Sequence, residues 1–300
     1  MDRESLALRL GVVLDYHLHL WPHSRRAGVV ALEELAAYCE RAQAQGVAEI
    51  AVTEHFHRFR QADAALRGFW DDDPSPALRA AMTDYWDWHV TADLDEYVDQ
   101  VVAAKAAGLP VVLGLEVDHF AGRMDKVGAL LDGYPFDVLL GSVHWLGAWG
   151  FDNGGQAAFV AEWDRRAVED VWRAYTDALE ELAASGAVDV LAHPDLCKVF
   201  GHVPAVPDEF YDRMAEAAAA SGLAAEVSSA GWRKPVGEQY PAPALLARFR
   251  AAGVPVTTAS DAHSQPDVAD RAGDLRAVVE SAGYSALQAY RRRHPHSVPL

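Results

Sequence analysis

Seven short apolar segments alternate with alanine-rich segments, and this alternation restricts the fold more than any other feature of the chain. The apolar segments are VVLDYHLHL, AEIAVTEH, VVLGLEV, DVLLGSVHW, VDVLAHPD, AAEVSS and VPVTTASDAH. Segments such as ALEELAAYCERAQAQG and LDEYVDQVVAAKAAG lie between them and have the composition of helices that stop at glycine. Nearly continuous apolar strands that alternate with helices are typical of a parallel sheet with helices on its faces.

The predicted strands share a second property, which lies at their carboxyl ends. Six of the seven end in His, Asp or Glu, and the other ends in Ser228 and Ser229. In a β/α barrel, the carboxyl ends of all strands meet on one face, and that face carries the chemistry. An open sheet would spread seven ends along an edge, where they could not all reach one site. We therefore predict an α/β fold in which the strands form a closed barrel.

The residues at these strand ends belong to the types that bind transition metals. They are His17, His19, His55, Glu116, His144, His193, Asp261 and His263. A single buried histidine is more often a hydrogen-bonded core residue than a ligand, but here every imidazole and carboxylate would need its own partner to offset desolvation. Metal coordination explains both their burial and their common position. Nitrogen and carboxylate ligands without paired thiolates favour Zn, Mn or Fe, in two or three sites.

Composition excludes several functional classes. The chain has 44 acidic and 26 basic residues, and its net charge of −18 argues against nucleic acid as a partner. Its two cysteines, Cys39 and Cys197, favour a reduced, cytoplasmic protein. We found no apolar run long enough to cross a bilayer, so we expect no membrane partner either. The oligomeric state cannot be inferred from these properties.

The motifs DYHLHL, TEH, GLEVD, GSVHWLGAWGFDN, LAHPDL, SSAGWRKP and SDAH resemble, in this order, those of the PHP (polymerase and histidinol phosphatase) family. The resemblance extends from about Asp15 to His263 and is greatest to the metal-dependent histidinol phosphatases of that family. It implies a distorted (β/α)7 TIM-like barrel, as a single domain over residues 1–300 with an insert around residues 57–93. It also implies a phosphomonoesterase of histidine biosynthesis, which would hydrolyse L-histidinol phosphate to L-histidinol and phosphate through a metal-bound hydroxide.

The resemblance further implies how two or three divalent transition-metal ions (Zn, Mn or Fe) would be held. The first ion would have four ligands, namely His17, His19, Glu116 and Asp261. Glu116 would bridge to a second ion, whose other ligands would be His144 and His193. The third would be held by His55, His263 and a further histidine, for which His23 is the candidate although its spacing is shorter than is common in the family. Asp15 would orient one of the imidazoles.

Catalytic and substrate-binding candidates come from the same face. Asp261 or a neighbouring histidine such as His263 could transfer the leaving-group proton, and Glu116 is the third catalytic candidate. An acidic protein needs local positive charge to bind phosphate. Basic residues in the loops after the strands could supply it, and these are Arg165, Arg166, Lys198, Arg233 and Lys234. For any one of them, a solvated surface side chain is the alternative interpretation.

Several alternatives stay open at the level of sequence. Residues 57–93 could form a helical insert that packs on the barrel, or a lid over a small cationic substrate that Asp71, Asp72 and Asp73 could suit. Trp145, Trp149 and Phe151 could line the pocket or only pack. The substrate could be another small phosphorylated metabolite. A non-catalytic PHP interaction module should have lost some of its metal ligands. A hydrolase of C–N bonds on a similar barrel typically has a metal-binding Lys at the end of a late strand, but no predicted strand here ends in Lys.

Overall fold

The centre of the protein is a seven-stranded parallel sheet, in a computed structural model that describes residues 13–22, 28 and 31–300. Its strands are β1 (Val13–Leu18), β2 (Val47–Val52), β3 (Val111–Asp118), β4 (Val138–Ser142), β7 (Val190–Leu191), β8 (Ala224–Ser228) and β9 (Val256–Ala259). They neighbour one another in the order β1-β2-β3-β4-β7-β8-β9. Each of the seven predicted strands is confirmed.

The first and last strands of the sheet approach each other. The backbone N–H of His19 donates to the carbonyl of Ala262 at 2.7 Å, and that of Asp261 donates to the carbonyl of His17 at 2.8 Å. The hydroxyl of Thr258 in β9 also donates to the carbonyl of Leu14 in β1. The sheet is therefore a nearly closed, distorted (β/α)7 barrel, as the sequence predicted.

Helices cover the outside of the barrel. In the described residues they are α1 (Leu32–Ala44), α2 (Arg60–Leu66), α3 (Pro76–His89), α4 (Leu94–Ala106), α5 (Met124–Leu131), α6 (Ala157–Glu162), α7 (Val168–Ala184), α8 (Asp208–Ser221), α9 (Pro243–Ala251) and α10 (Ala272–Ser281). Helix α7 buries Val171, Tyr175, Leu179 and Leu182, which recur at helical spacing on one face. None of the helices in the described part of the chain is long and apolar enough to cross a membrane.

The segment of residues 57–93 contains helices α2 and α3. Two of its tryptophans are buried, and their indole N–H groups have partners: Trp86 donates to Asp63 at 2.7 Å and Trp70 to Thr83 at 3.0 Å, whereas Trp88 is exposed. Ser75 caps α3 by accepting from the backbone N–H of Leu78. The segment is therefore a packed helical element, placed between β2 and β3.

A C-terminal hairpin lies at the opposite end of the barrel from the predicted ligands. Its strands are β10 (Ala286–Arg291) and β11 (His294–Pro299). Arg291 pairs with Glu49 in β2, and Arg293 pairs with Asp189, which directly precedes β7. The hydroxyl of Tyr290 donates to the carbonyl of Asp189. The hairpin thus covers the amino ends of the strands and leaves their carboxyl ends open.

Candidate metal centre

The carboxyl ends of six strands bring eight of the nine predicted metal ligands together. These eight are His17, His19, His55, Glu116, His144, His193, Asp261 and His263. Their donor atoms form four overlapping groups, and within each group all atoms lie within 4.8 Å of one another. The groups are His17, His19 and Asp261; His17, Glu116 and His193; His55, Glu116 and His144; and His19, His55 and His263. The remaining candidate, His23, lies outside the described residues.

Glu116 lies at the centre of this cluster. Its Oε2 is 2.6 Å from Nδ1 of His55 and 3.3 Å from Nε2 of His17. Its Oε1 is 3.0 Å from Nε2 of His193 and 3.4 Å from Nε2 of His144. Oε2 is buried, yet no described residue donates a hydrogen bond of normal geometry to it. A buried carboxylate whose two oxygens face different imidazoles, one of them without a hydrogen bond, fits a ligand that bridges two metal ions.

The cluster as a whole has the donor set of a divalent-metal site. It combines imidazole nitrogens with carboxylate oxygens, and both Cys39 and Cys197 are free thiols that take no part in these groups. Such donors suit Zn, Mn and Fe rather than thiolate-bound metals. The side chains of the described residues therefore support divalent-metal binding at this face.

Buried carboxylates orient two of the imidazoles. Nδ1 of His17 donates to Glu226 at 2.7 Å, and Nδ1 of His144 donates to Asp118 at 2.6 Å. Asp118 also accepts from Nδ1 of His57 at 2.9 Å. Each bond leaves Nε2 of the ligand directed into the cluster and fixes its tautomer. No sequence pattern pointed to Glu226, because it lies in the middle of β8 rather than at its end.

Asp15 has a different role from the one expected. Its carboxylate accepts hydrogen bonds from the backbone N–H and the hydroxyl of Ser260, both at 2.7 Å, and from the backbone N–H of Ala269 at 2.8 Å. The prediction that it orients an imidazole is therefore wrong. It fixes the loop that follows β9, and this loop carries Asp261 and His263.

Two of the candidate ligands have strained backbones. His193 has φ 27° and Asp261 has φ 49°, both in the left-handed region that side chains other than glycine rarely adopt. Such conformations persist only where the surroundings fix them, and they concentrate at functional sites. Both residues lie two positions after strands whose ends form the cluster, and the left-handed backbone directs their side chains toward it.

The charge balance of the cluster favours ionised carboxylates. Burial would raise the pKa of Glu116, but the imidazoles of His55 and His17 hold it well below its usual value. Burial acts on Asp261 in the same sense, and His17 again lowers the pKa well below the usual range. Burial lowers the pKa of His55 well below the ordinary histidine value. Burial acts on His17 and His144 in the same sense, but the carboxylates around them, Glu226 and Glu116 respectively, raise the pKa of these rings. Metal binding would therefore release protons from them. Ionised carboxylates and neutral imidazoles are the forms that bind metals.

A cavity of about 590 Å³ opens onto the cluster. One side is formed by candidate ligands, including His144, His193 and His263. The opposite wall comes from α3 and from the short hairpin of β5 (Trp145–Leu146) and β6 (Trp149–Gly150). Tyr85, Trp88, Trp145 and Asp152 are its main side chains. The insert therefore packs on the barrel, as one interpretation of the sequence had it, and also contributes side chains to the cavity wall.

Of the five predicted phosphate-binding residues, Lys234 alone lines this cavity in the described structure. Arg233 is held by other partners: it pairs with Asp270 at 2.8 Å and donates to the carbonyl of Ser260 at 2.6 Å. Lys198 is buried and paired with Asp195 at 3.0 Å, and it also contacts Glu238. Both cations therefore support loops beside the cavity. Sequence could not show the pairs with Glu238 and Asp270, because these carboxylates lie in other loops than the cations that they bind.

Arg165 and Arg166 also lie away from the cavity wall. Both pair with Glu162, at 3.3 Å and 2.8 Å, and Arg166 stacks over the ring of Trp149 at 4.6 Å. Trp149 is buried and packs, whereas Trp145 lines the cavity. The two arginines thus stabilise the outer side of the β5–β6 hairpin.

Comparisons with known proteins agree with this geometry. The pattern of the PHP domain family matches residues 15–230. A protein of Deinococcus radiodurans named as a probable histidinol-phosphatase is 37% identical over 241 residues, which is 78% of this chain and 89% of that protein.

Solved structures extend the comparison to the fold. The crystal structure of histidinol phosphate phosphatase from Lactococcus lactis, complexed with Zn, L-histidinol and phosphate, has a TM-score of 0.69 at 19% identity and covers 95% of this chain and 98% of its own. A Listeria monocytogenes protein assigned as a histidinol phosphatase has a TM-score of 0.68 at 18% identity, and covers 87% of this chain and 99% of its own. At these identities the likeness establishes the barrel fold.

Proposed function

Because this chain belongs to the PHP domain family, we propose that it is a metal-dependent phosphomonoesterase that hydrolyses L-histidinol phosphate to L-histidinol and phosphate. The observation that carries the proposal is the position of Glu116 between two sets of imidazoles at the base of a cavity of about 590 Å³. The identity to the probable histidinol-phosphatase of Deinococcus radiodurans supports the choice of substrate. A role in histidine biosynthesis follows from that substrate.

We propose that two or three divalent ions, Zn, Mn or Fe, are held with Glu116 as the bridging ligand. His17, His19 and Asp261 would complete the first site, as their mutual distances allow. His144 and His193 lie at the other oxygen of Glu116, at 3.4 Å and 3.0 Å, and would complete the second. His55 and His263 would hold a third ion together with His23.

Divalent ions at such a centre activate water for attack on phosphorus and neutralise the phosphoryl oxygens. The protein's own residues supply position and proton transfer. Asp261 and His263 both line the cavity, and we propose that one of them transfers the proton to the leaving oxygen. Lys234 is the basic residue on the cavity wall and would bind a phosphoryl oxygen. Tyr85 and Trp145 would shield the reaction from bulk water.

The experiment that tests this proposal is phosphate release from L-histidinol phosphate and from a panel of other phosphomonoesters. The protein should be loaded separately with Mn, Zn and Fe, since the donor set accepts each of them. We expect L-histidinol phosphate to have the highest kcat/KM in the panel. A higher kcat/KM for a sugar phosphate or a nucleotide would support a phosphoesterase that acts on a different substrate. No turnover of any ester at full metal loading would favour a non-catalytic module.

The structure gives little support to the remaining rivals. An interaction module that had lost catalysis would not need its ligands, yet the eight described candidates are all brought together. A hydrolase of C–N bonds would use a late ligand Lys, but Lys198 is already paired with Asp195 and Glu238.

A further inference from the structure

Asp152 is a carboxylate that the proposed chemistry leaves unused. It lies two residues after strand β6 and lines the cavity, together with Tyr85, Trp145 and Lys234. The acidic run Asp71–Asp73, which the sequence suggested for a cationic group, is not part of this wall. Asp73 instead accepts from the backbone N–H of Ala148 at 2.9 Å and from that of Ser75 at 2.9 Å. Asp152 is thus the acidic side chain of the cavity wall opposite the candidate ligands.

The backbone around Asp152 is held firmly relative to the cluster. Strands β5 and β6 pair directly after His144, with Trp145 opposite Gly150. The carbonyl of Phe151 accepts from the indole N–H of Trp163 at 2.9 Å, and the backbone N–H of Asn153 donates to Gly150. The carboxylate is therefore carried by a short hairpin whose first strand follows a candidate ligand. Such a placement suits a residue that must keep a fixed distance from the reacting group.

Among the described residues, no other residue forms an ion pair or hydrogen bond with the Asp152 carboxylate, which accepts from its own backbone N–H. Burial raises the pKa of Asp152, whereas the charges of His144 and Lys234 act in the opposite direction. A carboxylate in this position repels the phosphate dianion that the metal cluster would bind. A substrate that carries a positive charge at its other end would remove this repulsion and supply the missing partner.

We propose that Asp152 is a specificity-determining residue that binds the ammonium group of a cationic phosphomonoester. The inference rests on the proposed function and deepens it, because L-histidinol phosphate carries an amine and an imidazole. Tyr85 and Trp145 line the same cavity as the carboxylate, with ring centroids 5.7 Å apart and an edge-to-face angle of 67° between the rings, and they offer aromatic surface to a planar ring. Asp152 thereby selects aminoalkyl phosphates with an aromatic end over neutral or purely anionic esters.

Binding of the two products to the metal-loaded protein tests the proposal without turnover. L-histidinol and inorganic phosphate are titrated separately by calorimetry into the wild type, Asp152→Asn and Asp152→Glu. A charged hydrogen bond is lost in Asp152→Asn, so L-histidinol should bind about 10- to 100-fold more weakly. Phosphate affinity should stay the same or rise. Asp152→Glu keeps the charge and should recover part of the affinity. Asp164→Asn, which removes an exposed carboxylate, is the matched control and should change neither.

Kinetics give a second, independent readout. L-histidinol phosphate is compared with the same ester lacking the amino group. The wild type should prefer the amine by about 10- to 100-fold in kcat/KM, and Asp152→Asn should lose this preference mainly through KM. Equal losses on both esters would assign Asp152 to proton transfer or folding and overturn the inference. Unchanged L-histidinol binding in Asp152→Asn would overturn it too.

These results separate the inference from the function on which it rests. If the wild type prefers L-histidinol phosphate and Asp152→Asn keeps that preference, only the role of Asp152 is wrong. If the wild type neither binds L-histidinol nor hydrolyses its phosphate but hydrolyses another ester, the proposed substrate is wrong, and the role of Asp152 is rejected with it.

Discussion

Nδ1 of His17 lies 2.7 Å from Oε2 of Glu226, and both side chains are fully buried. His17 is in β1 and Glu226 in β8, so the bond crosses the interior of the barrel. Because Nδ1–H donates its hydrogen bond to this carboxylate, the free lone pair of His17 is on Nε2, which faces Glu116 and Asp261. Through this bond Glu226, which does not line the cavity, determines the tautomer of the candidate ligand His17.

Replacing Glu226 should weaken metal binding without disrupting the barrel. In Glu226→Gln, the neutral amide no longer supports the basicity of the His17 ring. Loss of such a partner typically costs about 10- to 100-fold in metal affinity. Competition with a chelator of known affinity measures the effect, with Glu209→Gln on the exposed side of α8 as control. Wild-type affinity in Glu226→Gln would show that His17 does not depend on this bond, or that it is not a ligand.

Glu116→Ala should be the most damaging substitution among the candidate ligands. It removes both oxygens that face His55 and His193, so it should remove a ligand from two sites at once. We expect metal content to fall by at least about one ion per chain and activity to fall by more than about a hundredfold, because bridging ligands position both ions. Elemental analysis after reconstitution, together with kcat, measures both. Full metal content with near wild-type turnover would contradict the central role of Glu116.

The sequence predicted positions at strand ends far better than partners inside the barrel. His17, Glu116 and Asp261 could be found because apolar strand patterns end at them, and parallel strands place such ends on one face. Glu226 could not, because its partner is 209 residues away in the chain and only the closed barrel brings the two together. The ion pair of Arg233 with Asp270 could not be found for the same reason, since Asp270 lies in another loop.

The link between the insert and the barrel should depend on pH through Asp93. Slight desolvation would raise the pKa of Asp93, but hydrogen bonds from Gln61 and from the backbone N–H of Glu96 lower it. A lowered folded-state pKa means that the stabilisation is present above the ordinary Asp value of about 3.9 and is lost as pH falls through the folded value.

Asp93→Asn keeps the helix cap of α4 but removes the charge. We therefore expect a loss of about 0.5 kcal/mol in the free energy of unfolding at pH 7, reduced because the group is largely exposed, and almost no loss near pH 2. Urea unfolding of wild type and variant at several pH values measures the difference. An equal loss at both pH values would contradict a role for the charge.

The C-terminal hairpin should contribute to stability without affecting the cavity. Arg293 pairs with Asp189 at 3.0 Å and donates to the carbonyl of Ala187 at 3.1 Å. Arg293→Ala should lower the free energy of unfolding by about 1 kcal/mol, since the pair is partly exposed, and should leave metal content unchanged. Arg292→Ala is a matched control, because both residues have positive φ, 48° and 63°. Equal destabilisation by the two substitutions would assign the effect to the backbone rather than to the ion pair.

The last prediction separates two roles for Arg233. A direct phosphate contact would make Arg233→Ala weaken substrate binding with metal content intact. The structure instead directs the guanidinium to the carbonyl of Ser260 at 2.6 Å and to Asp270 at 2.8 Å, next to Asp261 in its left-handed conformation. Loss of these bonds should release the loop and lower metal affinity by about tenfold, as for other residues that orient a ligand.

Arg233→Lys should recover only part of this loss, because an ammonium cannot reach two acceptors with the planar geometry of a guanidinium. Metal affinity and phosphate affinity, measured on the same preparations, decide between the two roles. A fall in phosphate affinity alone, at matched metal loading, would restore Arg233 as a direct phosphate ligand. A fall in metal affinity that excess metal reverses, together with activity, would establish that Arg233 acts through the loop that holds Asp261.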